Sequence, residues 1–132
     1  AISKWAKSRF NNDNLKLVGY INNLEGWYLR AKVFIHISYY DGFPFTVLEA
    51  MSYGLPVIAN NDMGMKEQIS HDCNGFLINN ENLNELSNYL DSLINSKKKR
   101  QEFGVNSIKI VKNNFNIQTI SKRIDNAISE LF

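Results

Sequence analysis

Two carboxylates, Asp41 and Glu49, stand eight positions apart with Gly42, Phe43, Pro44, Phe45 and Thr46 directly after the first of them. Carboxylates accept hydrogen bonds from hydroxyls, and a bond to a charged group contributes about 1.5–3 kcal/mol. The residues between them predict a helix that starts near Pro44, which suits the first helical position because its missing N–H has no partner there. Such a helix presents free N–H groups and roughly half a positive charge at its start. Glu49 then lies about 6–8 Å further along, at 1.5 Å per residue. Gly42 lets a ligand approach the backbone with no Cβ in the way. An anion at the helix start would have a carboxylate on each side of it. The combination suits a ligand with a phosphate centre and hydroxyl-rich wings.

The elements needed to position these groups are legible around them. Val33–Ser38 is a short β-branched run bounded by turn residues, which predicts a strand covered on both faces. Gly54 falls where a helix needs a left-handed cap, and Pro56 prevents continuation. Pro56–Ala59 is the next strand, so Val33–Ala59 forms a parallel βαβ unit. Ligands of open α/β sheets sit at the carboxyl ends of the strands, which is where this turn lies. Local spacing also allows a plainer reading. Thr46-x-x-Glu49 fits a capping box, in which Glu49 satisfies only backbone donors, and Asp41-Gly42 is an ordinary turn dipeptide.

Asp41-Gly42-Phe43-Pro44-Phe45-Thr46-Val47-Leu48-Glu49-Ala50-Met51-Ser52-Tyr53-Gly54-Leu55-Pro56-Val57-Ile58-Ala59 resembles the signature of the donor-binding half of retaining glycosyltransferases of the GT-B fold, most closely glycosyltransferase family 4. That signature runs E-G-F-x-x-x-x-x-E-A-M-A-x-G-x-P-V-I-A. Val18-Gly19-Tyr20-Ile21 is similar to the strand and turn before it, and Asn74-Gly75-Phe76-Leu77-Ile78 to the family's N-G-F-L-V strand. Asn60–Ile69 is similar to the family's T-D-x-G-G-x-x-E-I segment, with Asn60 and Asn61 for Thr-Asp and Met63 for the first Gly. Within it, Glu67 either matches the family's Glu or is a surface helix residue. The likeness covers roughly Leu15 to Phe132 and is specific as a composite.

The resemblance implies a Rossmann-like α/β domain, a parallel sheet with helices on both faces, that binds a nucleotide-diphosphate sugar. As candidate catalytic residues it gives Asp41, set against the donor sugar's hydroxyls, and Glu49, set against the ribose. Backbone N–H groups near Phe43, Phe45 and Thr46 face phosphate or sugar, and Tyr20 and Ile21 lie in the turn that lines the base. Asp41 is one methylene shorter than the family's Glu. No metal or other cofactor is implied, because the helix start and basic side chains neutralise the leaving diphosphate. A complete donor domain of this kind has six strands in the order 3-2-1-4-5-6, an upstream Arg and Lys, and an N-terminal domain holding a glycan or lipid-linked acceptor. The chain is therefore expected to be a single partial domain, residues 1–132 with C-terminal helices over 82–132, from a longer enzyme of the cytoplasm or inner membrane face, or else a truncated remnant. Unpaired strand edges are expected to pair, within the chain in another order or by self-association. Other readings are a non-catalytic module that binds a nucleotide or a partner chain, a related epimerase or phosphorylase, and a ligand-free Rossmann-like domain.

Composition supports a globular domain and excludes several classes. The 132 residues are 44% hydrophobic with a net charge of +2, so no nucleic-acid or other polyanion partner is implied. The one basic run, Lys97–Arg100, reads as a solvated helix start or turn. Cys73 is alone, which excludes an internal disulfide, and with His71 it falls short of a metal site. No apolar run approaches the ~20 residues of a membrane span, and Ala1 opens no signal-peptide pattern.

Apolar spacing predicts the remaining elements. These are helices over Ala1–Phe10, Leu24–Ala31, Gln101–Phe115 and Asn116–Phe132, a strand over Leu15–Tyr20 and another over Gly75–Ile78. Asn82 is placed to cap a further helix carrying Leu83, Leu86, Leu90, Leu93 and Ile94. Trp27 and Tyr28 read as core residues of their helix, with a base-stacking platform as the other reading.

Overall fold

The computed structural model describes residues 16–38, 41–79 and 82–130. The helix expected over Ala1–Phe10 lies outside them. In chain order the elements are α1 (Glu25–Arg30), β1 (Phe34–His36), α2 (Phe45–Ser52), β2 (Val57–Asn60), α3 (Met63–Gln68), β3 (Gly75–Ile78), α4 (Leu83–Asn95), α5 (Lys97–Asn114) and α6 (Ile117–Ser129). The three strands form one parallel sheet in the order β1-β2-β3, with Phe34 beside Val57 and Val57 beside Gly75.

Strand alternation divides the core into two layers. Val57 and Ala59 face Val47 and Met51 of α2, Met65 of α3 and the far end of α5 at Ile110 and Val111. Ile58, Phe76 and Ile78 face the other way, onto Leu93 of α4 and Phe103 of α5. All four residues of β2 are buried, as a central strand covered by helices requires. The sequence-based fold class is therefore the observed one.

Gly104 allows α5 to pass from one face to the other. A Cβ there would lie 2.2 Å from the Gly54 carbonyl oxygen, so the helix packs directly on the turn that ends α2. Gly54 itself takes a φ of +74°, the left-handed cap its position predicts. Buried Ser107 fastens the same helix further along, its hydroxyl 3.0 Å from the Leu55 carbonyl.

Asn82 caps α4 by accepting from the Glu85 N–H at 3.1 Å, as predicted. The basic run is the first turn of α5, which begins earlier than its apolar spacing indicated. Lys97 and Lys98 are exposed, as expected of a solvated helix start, while Lys99 and Arg100 are held by packing and local bonds. Lys99 pairs with Asp72 at 3.1 Å and lies over the Phe76 and Phe103 rings. Arg100 donates to the Leu93 and Ile94 carbonyls at the end of α4.

The strand expected over Leu15–Tyr20 is corrected within the described residues. Residues 16–20 form no strand, and no described strand pairs with them. Nor do the described strands pair in an unfamiliar order. They keep their sequential adjacency, and no further described strand joins the outer edge of β1 or β3. Those edges are only three and four residues long, a length that itself limits edge pairing.

Candidate active site

The turn from β1 to α2 leaves the carboxyl end of the sheet, where strand-end loops of parallel sheets meet ligands. Pro44 is the N-cap of α2, one position before the first helical residue where the sequence placed it, and among the described residues no side chain caps the helix. Thr46 is thus inside the helix and cannot be the capping residue of a Thr46-x-x-Glu49 box. The Glu49 carboxylate instead accepts a hydrogen bond from the Tyr28 hydroxyl, Oη to Oε2 3.1 Å. That excludes the plainer reading of Glu49.

The Asp41 end of the turn is fixed by one contact close in sequence and others remote in it. Asp41 Oδ2 lies 3.2 Å from Nε2 of His36, the last residue of β1. A carboxylate only accepts, so Nε2 carries the proton. The Asp41–Gly42 backbone is braced from α3. A Cβ on Gly64 would fall 1.8 Å from the Gly42 carbonyl oxygen and 3.0 Å from that of Asp41, so only glycine permits this approach. Buried Gln68 of the same helix donates to the Pro44 carbonyl at 3.4 Å. The space above Gly42 is open, as backbone approach by a ligand requires. Phe43 is held edge-on to Phe45 and against Phe115, while Phe45 stays largely exposed.

Glu49 faces a cleft of about 430 Å³ lined also by Ile21, Asn22, Glu25, Tyr28 and Tyr53. A second, more apolar cleft of about 330 Å³ continues past Ile21 and Tyr28 to Thr46 and Phe34. Of the turn expected to line a base, Ile21 contributes to both. Tyr20 is 93% exposed and lines neither. The structure thus brings Ile21 to Glu49 and holds Asp41 beside β1. Glu67 is exposed on α3. Cys73 and His71 take structural places, His71 Nδ1 accepting from the Leu77 N–H at 3.0 Å and the Cys73 carbonyl accepting from Asn106 at 2.9 Å.

Local spacing does not single out His36, and it gives Tyr28 only as core or a base-stacking platform, not as a partner of Glu49. His36 is hidden in an apolar strand pattern, and its signal is its place at the strand's end, five residues before Asp41. Tyr28 was placed in the core, and at 7% exposed it is, but its hydroxyl reaches the cleft. Its phenol is pushed up to about 12, chiefly by burial and then by donation to Glu49 and the Glu49 charge. Above the ordinary value near 10, the unfolded chain releases this proton while the folded chain keeps it. Stability held below pH 10 is therefore lost as pH rises toward 12. Denaturant unfolding between pH 9 and 12 checks this: wild type should lose stability that Tyr28→Phe does not, and parallel curves would refute it.

A parallel sheet with helices packed on both faces defines a Rossmann-like α/β domain. The chain belongs to the glycosyl transferases group 1, whose family model matches residues 1–110. It is 34% identical over 92 residues to an uncharacterized glycosyltransferase of Haemophilus influenzae, covering 69% of this chain and 26% of that protein. It is 25% identical over 114 residues to the capsular polysaccharide biosynthesis glycosyltransferase CapM of Staphylococcus aureus, covering 86% of this chain and 30% of that one. The chain therefore spans about a quarter to a third of these relatives. Among solved structures it matches Anabaena Alr3699/HepE in complex with UDP-glucose, with TM-score 0.83 and 25% identity over 98% of this chain and 36% of that one. It also matches TarM, with TM-score 0.85 and 25% identity over 95% and 25% of the respective chains. Among the described residues, no helix is long and apolar enough to cross a membrane.

Proposed function

We propose that these residues are the donor-binding part of a retaining glycosyltransferase of family 4, taking a nucleoside-diphosphate sugar whose base is uracil. The observation that carries the reading is the Glu49 carboxylate, oriented by Tyr28 in the same cleft as Ile21 and one turn from the uncapped start of α2. The uridine enters the cleft past Ile21, and the ribose hydroxyls donate to Glu49. The diphosphate lies on the N–H groups of Phe45 and Thr46, with Phe43 and Pro44 shaping the approach. The sugar lies over Gly42 with its hydroxyls on Asp41. As the glycosidic bond to the diphosphate breaks, negative charge grows on the leaving oxygens, where the helix start stabilises it without a metal. Uracil is chosen because a structural neighbour was solved with UDP-glucose.

The acceptor, a glycan or lipid-linked glycan, would be held by a part of the enzyme beyond this chain, at the cytoplasmic face where such precursors are built. The 132 residues alone would bind the donor without transferring its sugar. Calorimetric titration with UDP-glucose, UDP, GDP and ADP tests the reading. UDP-glucose and UDP should bind with Kd values at or below about 1 mM, the range of ordinary substrates, and at least about tenfold tighter than GDP or ADP, one decade being 1.4 kcal/mol. Equal affinity for the three diphosphates would remove the uracil assignment, and no heat from any of them at millimolar concentration would remove the donor site.

A further inference from the structure

Behind the two carboxylates stands one row of rings. Tyr53 stacks on Tyr28 with centroids 5.3 Å apart, Tyr28 meets Phe34 edge-on at 6.0 Å, and Phe34 lies within 18° of parallel to His36 at 6.4 Å. Strand geometry accounts for one end of it. Phe34 and His36 are two residues apart on β1, so both stand on the same face while Ile35 points to the other. Burial accounts for the other end, where Tyr28 and Phe34 share a cluster with Ala50 and Leu55 under α2.

The Tyr28–Phe34–His36 part of the row has a donor at each end, and each donor meets one acid. Tyr28 Oη reaches Glu49 at 3.1 Å and His36 Nε2 reaches Asp41 at 3.2 Å. An aromatic side chain has two torsions, and a ring packed on its neighbours cannot turn to follow a moving carboxylate. The carboxylates must therefore come to the rings. For Asp41, which leaves a turn residue and is one methylene shorter than the Glu of the signature it resembles, such a fixed donor defines where its free oxygen points.

We infer that Tyr28 and His36 are positioning residues for Glu49 and Asp41, and that the Tyr28–Phe34–His36 row sets the separation of the two acids. The inference rests on the donor reading, in which Glu49 meets the ribose and Asp41 the sugar. The two positioning residues then have separable effects. Tyr28→Phe loosens the ribose contact, lowering the affinity for UDP and for UDP-glucose by the same roughly tenfold, about one hydrogen bond to a charged group. His36→Leu leaves UDP affinity unchanged and removes, by roughly tenfold, the advantage of UDP-glucose over UDP. His36→Gln, whose amide Nε2 donates from nearly the same place, restores that advantage.

Calorimetric titration of the protein and these three variants with UDP and UDP-glucose tests the inference, together with ¹⁵N spectra of the His36 ring in wild type and Asp41→Asn. The expected spectrum shows the Nε2–H tautomer in wild type, with that preference weakened in Asp41→Asn. Equal losses for both ligands in His36→Leu, or no rescue by His36→Gln, would overturn it. So would a wild-type ring in the Nδ1–H tautomer, whatever the nucleotides do. Absence of nucleotide binding with the tautomer response intact would sink the donor reading alone, leaving the ring row supported as what fixes the acids.

Discussion

Glu49→Ala is expected to weaken UDP binding by roughly 100-fold, because two ribose hydroxyls each lose a charged acceptor worth at least about 1.5 kcal/mol. The fold should hardly notice. Glu49 is an exposed residue of α2, and among the described residues its carboxylate is bonded by the Tyr28 hydroxyl. Removing it costs about 1 kcal/mol of stability or less, the net value of a single hydrogen bond. The phenol would keep the part of its upward shift that comes from burial and lose the part that comes from Glu49. Glu49→Gln, which still accepts one hydrogen bond, should fall between wild type and Glu49→Ala. Calorimetry for binding and thermal unfolding for stability separate the two effects. A capping or purely structural Glu49 would show the reverse, with the melting temperature falling and UDP affinity intact.

Gly64→Ala should have the largest effect on the fold. Its new methyl would lie 1.8 Å from the Gly42 carbonyl oxygen and 2.5 Å from the Gly42 carbonyl carbon, both backbone atoms with no rotamer to relieve the clash. Either α3 backs away, breaking the Gln68 bond to Pro44 and the Met65 packing under β2, or the Asp41–Gly42 turn is pushed outward. Roughly 3 kcal/mol is expected, the upper end of overpacking costs, which lowers the melting temperature by about 10 °C for a chain of this size. The turn carries Asp41, so the same variant should also lose the preference for UDP-glucose over UDP. A Gly64→Ala protein that melts with wild type would mean that α3 does not brace the turn. Gly42→Ala offers a contrast, since a Cβ there meets open space and leaves the fold intact.

Local chemistry was legible in the sequence wherever it was sufficient to define the structure. Gly54 and Pro56 marked the end of α2, Asn82 marked the start of α4, and the apolar runs around Ile35, Ile58 and Phe76 gave the three strands and their parallel connection. Pro44 was displaced by one residue because a proline serves equally well just before or just inside a helix, and only the backbone angles decide. The segment before Tyr20 read as a strand because Leu17 and Val18 have the pattern. A strand also needs a neighbour, and pattern carries no information about whether one is in reach. In the site, spacing leaves Asp41 and Glu49 open between ligand acids and ordinary turn and cap residues, and the resemblance gives them and Ile21 their roles. Their supports were not: Tyr28 is 21 residues from Glu49, and Gly64 is 22 residues from Gly42. Contacts of that range are made by the topology of the sheet, and residue type alone announces them only as a tyrosine in a helix and a glycine in a loop. His36 is nearer, five residues from Asp41, yet it lies within a strand whose other members are apolar.

The most direct measurement of the central claim is a crystal structure of the protein with UDP-glucose bound. The ribose oxygens are expected within hydrogen-bond distance of Glu49, the diphosphate on the N–H groups at the start of α2, and a glucose hydroxyl on Asp41. Uridine bound with Glu49 still turned only to Tyr28, or a diphosphate placed away from Phe45 and Thr46, would contradict it.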